Sequence, residues 1–211
     1  LKDDKPIDKN FNINYTFEED DWGLEIKYKQ SRKGGSYIWE PVLKDYDDLK
    51  KVKYPSLHID YDTTKRTIES AKNIVGDILN VRLIGKWWWS TGLTNELVIL
   101  RGMNQVMLDM IDNPSFVHAI MEILKEGMLQ RVDFLEKNKL FTLNNDLYLS
   151  PGGFGYTDEL PKKDFNGLSY TKHLWNFSES KETIGISPKM FEEFIFPYQY
   201  AIQKRFGLNS Y

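Results

Sequence analysis

Residues 171–207 read TKHLWNFSESKETIGISPKMFEEFIFPYQYAIQKRFG. The apolar run Leu174-Trp175-Asn176-Phe177 is short enough to be a strand, and the polar Ser178-Glu179-Ser180-Lys181-Glu182 follows at once. Ser187 then offers a hydroxyl to cap a helix, and Pro188 takes the first helical position, where its missing N–H costs nothing. Met190, Phe191, Phe194 and Ile195 fall on one face behind it. Strand, polar tip and capped helix make one βα unit. In α/β folds the chemistry gathers at the carboxyl ends of strands, so Glu179 and Glu182, close to Trp175, mark a candidate site. Pro197 interrupts the helix, which should kink or restart at Tyr198 and end before Gly207.

The same alternation of elements continues upstream. Leu140-Phe141-Thr142-Leu143 predicts a strand over 139–146 that ends in the polar Asn144-Asn145-Asp146. The glycine-rich loop Ser150-Pro151-Gly152-Gly153-Phe154-Gly155-Tyr156-Thr157 comes next. It lacks the lysine and hydroxyl of a phosphate loop, so its glycines point to positive φ or to close approach of backbone to a ligand. Before the strand, Val117, Ile120, Met121, Leu124, Met128, Val132 and Leu135 form the apolar face of a long helix opened by Asn113-Pro114. Its methionines read as core filler, and His118 as a partly buried or surface residue. A helical region over 94–112 should break near Arg101-Gly102. Residues 77–85 alternate, with Leu79, Val81 and Leu83 against Asn80, Arg82 and Ile84, and predict another strand. It leads into Trp87, Trp88 and Trp89, which cannot all point inwards in regular structure; they either line a pocket or pack on the N-terminal aromatics.

Nearer the N-terminus, Asp62 or Thr63 should cap a helix carrying Ile68, Ala71, Ile74 and Val75, with Gly76 at its end. A short helix is expected over 45–50, and a hairpin from Leu24, Ile26 and Tyr28 through Gly34-Gly35 to Tyr37-Ile38-Trp39. His58 and Asp60 offer a general base with its orienter, but two residues at this spacing are a weak signal. The run Glu18-Glu19-Asp20-Asp21 reads as a solvated loop, because adjacent side chains do not converge on one ion without a special backbone. The order of helices and strands argues for a parallel α/β sheet.

With 211 residues, 41% hydrophobic, the chain can bury a substantial core and is most simply one domain, 1–211. Its 28 Lys+Arg against 31 Asp+Glu leave a net charge of -3, which gives no electrostatic reason to expect nucleic acid. No apolar run approaches bilayer length, and LKDDKPIDKN lacks the apolar core of a signal peptide, so no membrane partner is expected. Cysteine is absent, so disulfides and thiolate metal sites are excluded within these residues, which fits a cytoplasmic location. The opening Leu1 and a strand-like start just before Tyr211 suggest a piece of a longer chain.

Read together, these stretches resemble the uroporphyrinogen decarboxylase superfamily. The likeness is carried first by Ile186-Ser187-Pro188-Lys189-Met190-Phe191-Glu192-Glu193-Phe194-Ile195-Phe196-Pro197-Tyr198, similar to that family's Ser-Pro helix start and Pro-Tyr kink. Residues 85–93 resemble its strand-end G-x-x-W segment, and Asp112-Asn113-Pro114-Ser115-Phe116-Val117-His118 one of its helix starts. Arg101-Gly102-Met103, Gly152-Gly153-Phe154-Gly155-Tyr156-Thr157 and Glu179-Ser180-Lys181-Glu182-Thr183 are similar to segments of its subgroup of undefined activity. The resemblance spans most of residues 20–211. It implies a (β/α)8 TIM barrel, of which this chain would hold only part, since a whole barrel takes about 250 residues. Residues 1–60 would be an N-terminal extension packed on it.

The resemblance further implies an enzyme acting on a small molecule at the barrel's C-terminal mouth, by decarboxylation or by corrinoid-linked methyl transfer. The decarboxylases need no cofactor but use an Arg-rich N-terminal motif that is not found here. The methyltransferases hold zinc with a His and two Cys; zinc and corrinoid would enter only if a further C-terminal part supplied such ligands. Within this chain no cofactor and no metal site is expected. Glu179, Glu182 and Asp146 would be the acid/base groups, Asn144 and Asn145 hydrogen-bonding groups, and Trp87, Trp88 and Trp175, with Tyr156, the substrate wall. A small-molecule substrate, a corrinoid protein and a homodimer partner complete the expectation. Two other readings stand beside it: a glycoside hydrolase, and a non-catalytic carbohydrate- or ligand-binding protein in which Glu179 and Glu182 cap helices or pair with Lys181 and Lys172.

Overall fold

The structure, a computed structural model, describes residues 8–20, 22–30, 37–85, 90–145 and 158–210. The chain opens with β1 (Asn10–Asn14), β2 (Phe17–Glu19), β3 (Lys27–Gln30) and β4 (Tyr37–Glu40). β3 and β4 pair antiparallel with Tyr28 opposite Trp39, forming the predicted hairpin; the intervening residues 31–36 are outside the described ones. A short helix α1 (Tyr46–Leu49) is closed by a capping box between Asp45 and Asp48. β5 (Leu57–Ile59) runs antiparallel to β2.

Helix α2 (Tyr61–Val75) begins earlier than its sequence suggests. Asp60, at the end of β5, is the cap: its Oδ1 accepts from the Thr63 N–H at 2.8 Å, and its carbonyl accepts from the Thr64 hydroxyl at 2.7 Å. Asp62 falls instead in the first helical turn, where a negative charge is favoured by the helix dipole. β6 (Asn80–Ile84) then pairs parallel with β1, from Asn10 opposite Asn80 to Asn14 opposite Ile84.

Helices α3 (Thr94–Arg101) and α4 (Met103–Asp112) meet at Gly102, whose φ of +84° accounts for the predicted break. Their junction is clasped by Arg101. Its guanidinium donates to both oxygens of Asp109, at 2.6 and 3.1 Å, and to the carbonyls of Leu43 and Lys44, and it lies over the Phe116 ring. Helix α5 (Pro114–Lys137) buries the whole predicted apolar face, Val117 through Leu135, in the middle of the core. Gly127 on that helix lets the Trp22 indole come close to the backbone; a Cβ there would sit 2.6 Å from the ring.

The predicted strand over 139–146 does not form among the described residues: residues 140–145 make no backbone ladder. Side chains take the place of one. Thr142 Oγ1 accepts from the Gly85 N–H at 2.7 Å, just past the end of β6. On the far side Asn144 donates to the Trp175 carbonyl at 2.8 Å and accepts from the Trp175 N–H at 3.2 Å. A hydroxyl and an amide thus supply the bonds to the backbone on either side.

A 3-10 turn at Thr171–His173 precedes β7 (Trp175–Phe177), and a second, Lys181–Thr183, follows it. Leu174, Trp175, Asn176 and Ser178 are all buried, so β7 is covered on both faces, as a parallel strand must be. Ser187 caps α6 (Pro188–Phe194), accepting from the Met190 N–H at 3.2 Å. The helix breaks at Ile195 and restarts as α7 (Phe196–Gln203), not at Tyr198. A proline tolerates the first turn of a helix but not its interior, so the backbone yields upstream and leaves Pro197 inside the new first turn. β8 (Leu208–Ser210) closes the described chain parallel to β7.

The architecture is mixed α/β, with seven α-helices and four two-stranded sheets among the described residues, none of them closed. β1, β6, residues 140–145, β7 and β8 follow one another as neighbours, with backbone ladders at the two ends and side-chain bonds between.

Candidate functional site

The loops that leave β6 and β7 are fastened to each other. The Thr91 N–H donates to the Phe177 carbonyl at 2.9 Å, and Thr91 Oγ1 accepts from the Asn176 amide at 2.7 Å. Ser90 Oγ accepts from the Gly92 N–H at 2.9 Å and from the Glu179 N–H at 2.8 Å. Gly92 lies so close to the Glu179 carbonyl that a Cβ would overlap it. Gln199 of α7, fully buried, accepts from the Leu93 N–H at 2.9 Å and donates to Ser180 Oγ at 2.8 Å, bracing both loops from behind.

Between these loops and the start of α3 lies a cleft of about 320 Å³, lined by Ser90, Gly92, Asn95, Glu96, Glu179, Lys181 and Glu182. The two glutamates that the sequence singles out are therefore brought together on one wall. Glu182 Oε2 accepts from the Thr94 hydroxyl at 2.7 Å, and Thr94 has no exposed surface. Glu179 Oε1 lies 3.3 Å from Lys181 Nζ, a pair whose lysine is mostly exposed and whose attraction water therefore screens.

Glu96 is a third carboxyl in the cleft, missed by sequence reasoning. Burial pushes its pKa above the ordinary range; its own backbone N–H and Arg131 oppose that, while Glu182 and Glu19 add to it. Its Oε2 is shut off from solvent and has no hydrogen-bond partner among the described residues. An acid in the first turn of a helix is ordinary, so nothing local distinguishes Glu96; only its position on the first helix after β6 points to the cleft. The result is a set of carboxyls in different surroundings: burial presses Glu96 towards its protonated form, and Glu182 accepts a hydrogen bond from a buried hydroxyl.

The other predicted residues lie elsewhere. Asn144 and Trp175 hold each other at the strand junction, where the Trp175 indole N–H also donates to the Asn144 carbonyl. Asn145 donates to the Leu160 carbonyl at 2.9 Å. None of these three lines the cleft. Asp146, Trp87, Trp88 and Tyr156 are outside the described residues. The His58–Asp60 pair is not joined: Asp60 caps α2, and His58 Nε2 lies 3.2 Å from Ser56 Oγ. In the acidic run, Glu19 pairs with Arg131 at 2.9 Å. His118, half-buried, contacts the Tyr198 hydroxyl through Nδ1 at 2.7 Å and stacks on Phe194.

The residues present do not make the zinc site of a methyltransferase. The chain has no cysteine, and no three His, Asp or Glu side chains converge on one point among the described residues. No helix among them is long and apolar enough to cross a membrane. Comparison with known family models, with curated proteins and with solved structures gives no match.

Proposed function

We propose that this chain is part of a TIM barrel of the uroporphyrinogen decarboxylase type, and that it acts on a small molecule in the cleft between the loops after β6 and β7. One observation carries the reading. Ser90 and Gly92 leave one strand of a parallel pair, Glu179 and Glu182 leave a strand of another, and the two groups close on each other around a cleft. That is the end at which barrels of this class keep their chemistry. The succession β1, β6, residues 140–145, β7 and β8 supports the barrel part of the proposal, because its members lie side by side in the order in which they occur along the chain, with helices α3–α5 between β6 and residues 140–145 and helices α6 and α7 between β7 and β8.

In this reading Glu96, pressed towards its neutral form, donates a proton, and Glu179 and Glu182 orient the substrate or accept one. For a decarboxylation the C–C bond to the departing carboxylate breaks, its electron pair stays on the substrate carbon, and the proton of Glu96 neutralises it as CO2 leaves. Asp146, Trp87, Trp88 and Tyr156 keep the acid/base and wall roles that the resemblance gives them. Zinc has no part in this reading, since the described residues do not fit its ligand set. A corrinoid would arrive on a separate protein. A cytoplasmic location and a homodimer belong to the same proposal.

A second reading is favoured by one specific observation. Glu182 and Glu179 already have partners within the chain, Thr94 and Lys181, as expected of a ligand-binding protein without chemistry. The test uses the protein with a carboxylated porphyrinogen and, separately, with a methyl donor and cob(I)alamin, reading CO2 release and methylcobalamin formation. Turnover in either assay that falls about 100-fold or more in Glu96→Gln, with the circular dichroism unchanged, is the expected result. Saturable binding without turnover supports the second reading. Neither binding nor turnover overturns both.

A further inference from the structure

We draw no further inference here: the strongest candidate outside the cleft, the exposed apolar surface of α4 at Met103, Leu108 and Ile111 with Ile184 nearby, is unpartnered among the described residues, and nothing in the structure shows what covers it.

Discussion

The Thr94 hydroxyl donates a hydrogen bond to Glu182 Oε2 across 2.7 Å from a position with no solvent exposure, joining the first turn of α3 to the turn that follows β7. Replacing Thr94 by Val keeps the shape and removes the donor. A hydrogen bond to a charged group contributes about 1.5–3 kcal/mol, so Thr94→Val should lower unfolding stability by about that much in urea titrations. Thr94→Ser should recover most of it. Equal stability of Thr94→Val and the parent protein would show that the bond carries no weight.

Gly92 has no room for a side chain, because the Glu179 carbonyl occupies the place of its Cβ. Overpacking of this kind costs about 1–3 kcal/mol. Gly92→Ala should therefore lower the melting temperature, and should also loosen ligand binding at the cleft more than a distant substitution of equal destabilisation does. An unchanged melting temperature would count against the close approach.

For Glu96 the sign of the pH effect is fixed by its raised pKa, which comes first from burial. The folded form binds the proton more tightly than the unfolded chain, so the side chain's contribution is fully present below the unfolded pKa and is lost as pH rises through the folded one. Glu96→Gln stays neutral throughout. The variant should melt higher than the parent at pH 8, and the gap should close as pH falls towards 4. A gap that widens in acid would reverse the assignment.

Arg101 and Asp109 are both nearly inaccessible and bond through two parallel contacts. Removing one partner of such a pair strands the other and costs about 3–5 kcal/mol. Arg101→Met should approach that loss, whereas Arg101→Met with Asp109→Leu should be milder, because no charge is left behind. Denaturant unfolding of the three proteins gives the comparison. A double variant less stable than the single one would refute it.

Asn144 presents an N–H to the Trp175 carbonyl and a carbonyl to the Trp175 N–H. Asn144→Ala loses both bonds, each about 0.5–1.5 kcal/mol. Asn144→Asp does worse at neutral pH, since a carboxylate oxygen then faces a carbonyl oxygen. Its deficit should shrink in acid as the carboxyl regains a proton, which thermal melts at two pH values will read.

What the sequence makes legible is local. The Ser187-Pro188 helix start, the apolar face of α5 and the break at Gly102 each follow from neighbours within a few residues, and the structure has all three. Pairings across the chain are another matter. Nothing in Asn10 to Asn14 indicates that Asn80 to Ile84 will lie beside them. The run Leu140 to Leu143 has strand composition, yet Thr142 and Asn144 spend their side chains on the backbone of both neighbours, and composition does not reveal that choice. For the site, Glu179 and Glu182 are readable because a polar tip follows an apolar run. Glu96 is not, because the charged groups that act on it, Arg131, Glu182 and Glu19, are all distant in sequence.

The seam at residues 140–145 bears on how the molecule comes apart. Ladders within β1–β6 and within β7–β8 zip residue by residue, whereas residues 140–145 join them through single side chains, and the loops beyond add one backbone bond, from the Thr91 N–H to the Phe177 carbonyl. Amide protons of the two pairs should then exchange as separate cooperative blocks, with the boundary at Thr142 and Asn144. Because the cleft straddles that boundary, a ligand bound there acts as a rivet, and its occupancy should merge the two blocks into one.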